Sequence, residues 1–289
     1  MVFDKRALLR VCLVAIAGIA LCLQNGVAQQ AGIGATAAPT GRGAQPPDPR
    51  VQQRKYHFGD TDEDIPYAVF VSSKVTRDKK NPLIIALHGL GGSPNSLMRG
   101  NLLDLAEQGG FIVFAPMGYN PRGWYGIPGN SPPTPGVTRP PDPAAASDPP
   151  NLRELSEKDV LNILAMARKE FKVDERRTYL MGHSMGGAAT LYLGSKYASN
   201  WAAIAAIAPA ARRMEADMHP LLMKLTMPLI VIQGVADAAV PVANTRKWIA
   251  AMNEMKMNYK YDEIPGGDHG SVITTAMSDI FTFFNTHAK

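Results

Sequence analysis

Short runs of apolar residues alternate along this chain with stretches of helical spacing. Pro66–Val71 reads as an early antiparallel strand, and Leu83–Leu87 and Phe111–Ala115 are continuously apolar, as strands buried on both faces are. Ser96–Gln108 is predicted as a helix that stops at Gly109-Gly110. Ser156–Phe171 is predicted as a second helix, because Val160, Ile163, Leu164, Ala167 and Phe171 fall on one face. Strands then follow at Thr178–Met181, Ala203–Ile207, Pro228–Ile232 and Tyr259–Ile264. Helices intervene at Ala188–Tyr197 and Asn244–Met255, and a last one covers Ser271–Thr286. Strands and helices in alternation predict an α/β fold: a mainly parallel sheet with helices on both faces, and ligands bound beyond the carboxyl ends of its strands. Residues 117–150 break the rhythm with many Pro and Gly, and are expected to form an irregular insertion at that end.

The first 54 residues follow a different pattern. Lys5, Arg6 and Arg10 precede an apolar run from Val11 to Leu23, and Gly26-Val27-Ala28 supplies small residues before Gln29, so residues 1–28 read as a signal peptide. The run has about 13 residues, short of the ~20 that span a bilayer. An uncleaved anchor and a lipoprotein processed at Cys22 are the competing readings, and Leu21 fits the second poorly. Residues 29–54 are rich in Ala, Gly, Pro and Gln and read as a flexible segment, with the folded domain expected over 55–289. A secreted or periplasmic protein with no stable membrane anchor follows from this leader. Both cysteines, Cys12 and Cys22, fall inside it, so the expected mature chain has no disulfide, thiolate nucleophile or cysteine metal site.

Composition narrows the class further. Apolar residues make up 46% of the chain and charged residues 19%, which suits a globular domain. The net charge of +5 is partly the leader's and forms no cluster beyond Lys79-Lys80, so no nucleic-acid partner is expected. No H-E-x-x-H, Ca²⁺ loop or Gly-Lys-Ser/Thr phosphate loop occurs, and neither a metal nor a cofactor is expected.

The chemistry-bearing signal is Gly182-His183-Ser184-Met185-Gly186-Gly187, between a predicted strand and a predicted helix. G-x-S-x-G there is a nucleophile elbow: the turn is so tight that side chains two before and two after the serine would collide. A serine hydroxyl needs a base. His269, in the glycine-rich stretch Ile264–Gly270, is the candidate; His183 is taken to face away from the nucleophile, and His57, His88, His219 and His287 sit elsewhere. Asp237, just past the strand ending at Gly234, is the candidate acid, with Asp262 and Asp268 as runners-up. Two N–H groups must meet the developing oxyanion. Met185 follows the serine, and His88-Gly89-Leu90-Gly91-Gly92-Ser93 offers Leu90, with Gly91 next. Trp124 and Tyr125, on the irregular insertion, are candidate substrate contacts.

From about Tyr67 onward these motifs resemble the α/β-hydrolase superfamily. Within it they are similar to single-domain esterases near the prolyl-oligopeptidase and polyhydroxybutyrate-depolymerase/feruloyl-esterase groups. The resemblance implies Ser184, Asp237 and His269 as a triad, Leu90 and Met185 as oxyanion donors, and a small-molecule or polymeric ester as substrate. No β-propeller precedes the domain, and Gln233 stands where many relatives carry His; both are departures from those relatives. A serine peptidase and a non-catalytic binding protein on the same fold stay open. The sequence leaves the oligomeric state open.

Overall fold

The computed structural model describes residues 46–129 and 143–289. The leader reading, both cysteines, most of the expected flexible segment and the Pro-rich centre of the insertion lie outside the described residues.

Among the described residues eight strands form one sheet: β1 (Gln52–Phe58), β2 (Glu63–Val71), β3 (Asn81–Leu87), β4 (Ile112–Pro116), β5 (Val173–His183), β6 (Ala203–Ile207), β7 (Leu229–Gly234) and β8 (Tyr259–Ile264). Their spatial order is β1-β2-β4-β3-β5-β6-β7-β8. β1 pairs antiparallel with β2, and β2 with β4; every pairing from β4 through β8 is parallel. Among the described residues six α-helices complete the fold: α1 (Asn101–Gly109), α2 (Leu152–Glu170), α3 (Met185–Lys196), α4 (Met218–Leu222), α5 (Val242–Glu254) and α6 (Ser271–Thr286).

The pleat sends successive side chains to opposite faces, so the central strands must be apolar on both. In β3, Leu83, Ile85 and Leu87 belong to one side of the core together with Val160, Ile163 and Leu164 of α2, Ala188 of α3 and Trp248 of α5. Ile84 and Ala86 pack on the other face with Leu102 and Leu103 of α1 and Val272, Ala276 and Ile280 of α6. α6 is fixed twice: the Tyr179 ring stacks on Phe284 at 4.4 Å, and its hydroxyl donates to the Phe284 carbonyl at 2.8 Å. An aromatic pair of this kind adds about 1 kcal/mol to the burial of its rings.

Three boundaries differ from the sequence-based expectation. Order begins before Lys55: Val51 is buried, and β1 opens at Gln52. β1 is an edge strand with mostly exposed side chains, so it carries little apolar pattern. The helix expected from Ser96 starts at Asn101, because Gly100 takes φ 51° and interrupts the helical path. β5 extends back to Val173, through a polar stretch that apolar periodicity does not mark.

Candidate active site

Ser184 lies between β5 and α3 with φ 57° and ψ −113°, outside the conformations an L-residue ordinarily takes. The neighbouring packing enforces this turn. A Cβ on Gly182 would come 2.3 Å from the Gly186 carbonyl oxygen, and one on Gly186 would come 2.2 Å from that of Leu87. The Ser184 N–H donates to Ile207 O at 2.9 Å, and its carbonyl accepts from Ala188 and Ala210 at 2.9 and 3.0 Å. These bonds hold the strained residue from both sides.

Residues 85 positions apart then meet. The Ser184 hydroxyl donates to His269 Nε2 at 2.9 Å, and His269 Nδ1–H donates to Asp237 Oδ2 at 2.8 Å. The ionised acid assigns this tautomer, because a carboxylate can only accept. Asp237 is buried, His269 about a third exposed, and Ser184 partly exposed. The other acid oxygen, Oδ1, accepts from the N–H groups of Ala239 and Val240 at 2.9 and 2.8 Å. The arrangement can carry a proton from Oγ to Nε2 while the carboxylate compensates the positive charge on the ring.

The runner-up acids are occupied elsewhere. Asp268 Oδ1 accepts from the N–H groups of Gly270 and Ser271 at 2.8 and 2.7 Å and so fixes the start of α6. Asp262 pairs with Lys260 on β8.

The loop after β3 approaches the serine closely: a Cβ on Gly89 would stand 3.3 Å from that of Ser184. Among the described residues no carbonyl accepts from the N–H of Leu90 or of Met185. The Gly91 N–H, the alternative donor, is already committed to Pro121 O at 3.0 Å. Met185 is the first residue of α3, so the positive end of that helix also faces the serine. The loop after β4 braces this region. His88 lies between the carbonyls of Gly89 and Met117 at 2.8 and 2.9 Å, and burial lowers its pKa. The buried Asp159 of α2 accepts from Gly118 and Tyr119 N–H at 2.7 and 3.0 Å and from the Tyr56 hydroxyl.

Three expectations need correction. Tyr125 is fully buried, with its hydroxyl donating to His88 O at 3.3 Å and its ring edge-on to His88. It supports the loop after β3 and has no surface to offer a substrate. Trp124 is also buried, and its ring is covered by the Arg213 guanidinium at 3.5 Å. Both residues take positive φ, 55° and 51°. The third correction concerns His183, which does not face away. Its ring lies 4.5 Å from that of His269, and its Nε2–H donates to the His269 carbonyl at 2.8 Å. His183 therefore ties the elbow to the loop that carries the candidate base.

Burial, followed by the neighbouring His269, pushes the His183 pKa down from 6.5 to about 4. A histidine neutral in the fold and protonated when unfolded gives stability that is complete above pH 6.5 and lost as pH falls toward 4. The loss should reach roughly 3 kcal/mol, and His88 adds to it in the same direction. Melting temperature measured across this range should fall less steeply for His183→Gln than for the parent chain; equal slopes would show that His183 is not a source of the acid sensitivity.

Sequence reasoning noted Gln233 only as a departure from relatives, without a supporting role, and missed Asp159 and Tyr56. Gln233 had a visible signal, since it is the one polar residue in the run Leu229–Gly234. A cleft of about 230 Å³ lies beside α3 and α4, lined by Tyr192, Met214, Leu221 and Lys224 among others, and by none of Ser184, Asp237 or His269.

Known proteins resemble this chain in part or in fold. A family model described as "Serine aminopeptidase, S33" matches residues 147–225. Feruloyl esterase B of Neurospora crassa is 28% identical over 149 residues, which is 50% of this chain and 44% of that protein. The match thus spans less than half the length of that relative. A ferulic acid esterase from Anaeromyces mucronatus, solved with ferulic acid, superposes with a TM-score of 0.61 at 17% identity, covering 86% of this chain and 93% of that one. An S-formylglutathione hydrolase from Agrobacterium tumefaciens gives 0.64 at 15%, covering 83% and 95%. Strand order, the serine elbow between β5 and α3, and these likenesses together give this chain the α/β-hydrolase fold.

Proposed function

We propose that the chain is a serine esterase that hydrolyses carboxylic esters through an acyl-enzyme. The observation that carries this is the hydrogen-bonded line from Ser184 Oγ through His269 to the buried Asp237, at 2.9 and 2.8 Å. Ser184 Oγ attacks the ester carbonyl as His269 Nε2 takes its proton. The carbonyl oxygen becomes an anion, received by the N–H groups of Leu90 and Met185. His269 then gives its proton to the departing alcohol, leaving an acyl group on Ser184. Water attacks the acyl carbon, loses a proton to His269, and releases the acid as Ser184 regains its hydrogen. Asp237 holds the ring and stabilises its positive form throughout.

Esters are favoured as substrates because the feruloyl esterase and the ferulic acid esterase above are named for that activity. Among the described residues no helix is long and apolar enough to cross a membrane, and export to the periplasm or medium is proposed from the leader sequence alone. A peptidase is the second reading, favoured by the aminopeptidase family match over residues 147–225.

A substrate panel separates the two. p-Nitrophenyl esters of rising acyl length and methyl ferulate should be turned over, with a proline anilide at least about a hundredfold slower in kcat/KM, a ratio worth about 3 kcal/mol of transition-state binding. Turnover of the anilide alone would establish the peptidase instead.

A further inference from the structure

We infer that Gln233, locked by Thr245, is a positioning residue that fixes Asp237 Oδ2 against His269 and so sets the proton affinity of the base; the inference rests on the hydrolase reading above. Gln233 stands near the end of β7 and is fully buried. A buried amide must satisfy both of its ends. The Thr245 hydroxyl of α5 donates to Gln233 Oε1 at 2.7 Å. On the other side Nε2 faces three acceptors: Val240 O at 3.0 Å, Asp237 Oδ2 at 3.1 Å and Gly234 O at 3.2 Å. A flipped amide would set its oxygen against three oxygens and its NH₂ against the threonine, so only one orientation is tolerable. Gln233 thus aims a donor at the acid, and the aim is set by α5.

Each oxygen of Asp237 consequently receives two donors. Oδ1 has Ala239 and Val240, and Oδ2 has His269 Nδ1 and Gln233 Nε2. Four donors arriving from the turn, the strand and the base loop prevent the carboxylate from rotating. They also share out its charge. Without Gln233 the imidazole would be the sole donor to Oδ2, and the more concentrated charge would hold the imidazolium proton more tightly. Among the described residues, the other titratable groups at His269 are the neutral His183, whose ring lies 4.5 Å away, and Asp268, its chain neighbour, which pairs with the Gly270 and Ser271 N–H groups. Neither touches Gln233.

The test is the pH profile of kcat/KM on a soluble p-nitrophenyl ester, together with an NMR titration of His269 that needs no substrate. Gln233→Met removes the donor at similar length. It should move the acidic limb and the NMR midpoint up by about half a unit to one unit. It should also lower kcat about tenfold with KM within about twofold. Gln233→His returns an N–H and should bring both midpoints back. Thr245→Val frees Oε1 at nearly constant volume and should shift both in the same direction by less, which keeps the test open should Gln233→Met not fold. A fall in melting temperature with both midpoints unmoved would overturn the inference and leave Gln233 as core packing. A shifted NMR midpoint in a protein without ester turnover would instead uphold the clamp and remove the esterase reading.

Discussion

Ser184→Ala should lower ester turnover by about 10⁴- to 10⁶-fold and leave the melting temperature nearly unchanged. Only Oγ is lost. The backbone of Ser184, at φ 57°, is held by its bonds to Ile207, Ala188 and Ala210, none of which uses the side chain. The Leu90 and Met185 amides stay in place, so binding of the ester persists and kcat takes the loss. Steady-state kinetics with circular dichroism read this directly, and a fluorophosphonate probe should label the parent chain and not the variant. A variant retaining more than about a hundredth of parental kcat would remove Ser184 from the reaction.

Asp237→Asn should lower kcat about 10⁴-fold at neutral pH without disturbing the fold. The direction follows from which oxygen each partner uses. Oδ1 accepts two backbone N–H groups, so the carbonyl oxygen of the new amide would remain there. Its NH₂ would then point at His269 Nδ1 and at the Gln233 NH₂, where Oδ2 now accepts from both. The ring answers by moving its proton to Nε2, the atom that must accept from Ser184. Serine and base would then face each other with two hydrogens and no acceptor. Retention of kcat within about tenfold would mean that the tautomer is set by another group.

The grouping of Ser184, Asp237 and His269 was more legible in the sequence than the support around it. Ser184, Asp237 and His269 were readable because each sits at a break between elements of different period, and such breaks on this fold cluster at one end of the sheet. Strands β3, β4, β6 and β7 were readable because burial on both faces leaves apolar runs; β8 is only partly buried and carries no such run. β1 was hidden, since an edge strand needs few apolar side chains. The roles of Trp124 and Tyr125 were misread for a definite reason. Aromatic residues in a glycine-rich loop look exposed, and nothing in the composition announces the left-handed backbone or the burial of both residues.

Order along the chain gives the clamp between Tyr179 and α6 a role in time as well as in space. During synthesis the elbow emerges first, and Asp237 and His269 follow it by 53 and 85 residues. At ribosomal speeds of about 5–20 residues per second, several seconds separate the serine from its base. α6 cannot seat on Tyr179 until Phe284 is available, and His269 sits just before that helix. A partly made domain therefore holds Ser184 without its partner histidine, and the hydrogen-bonded line from Ser184 to Asp237 is complete only once the last helix closes.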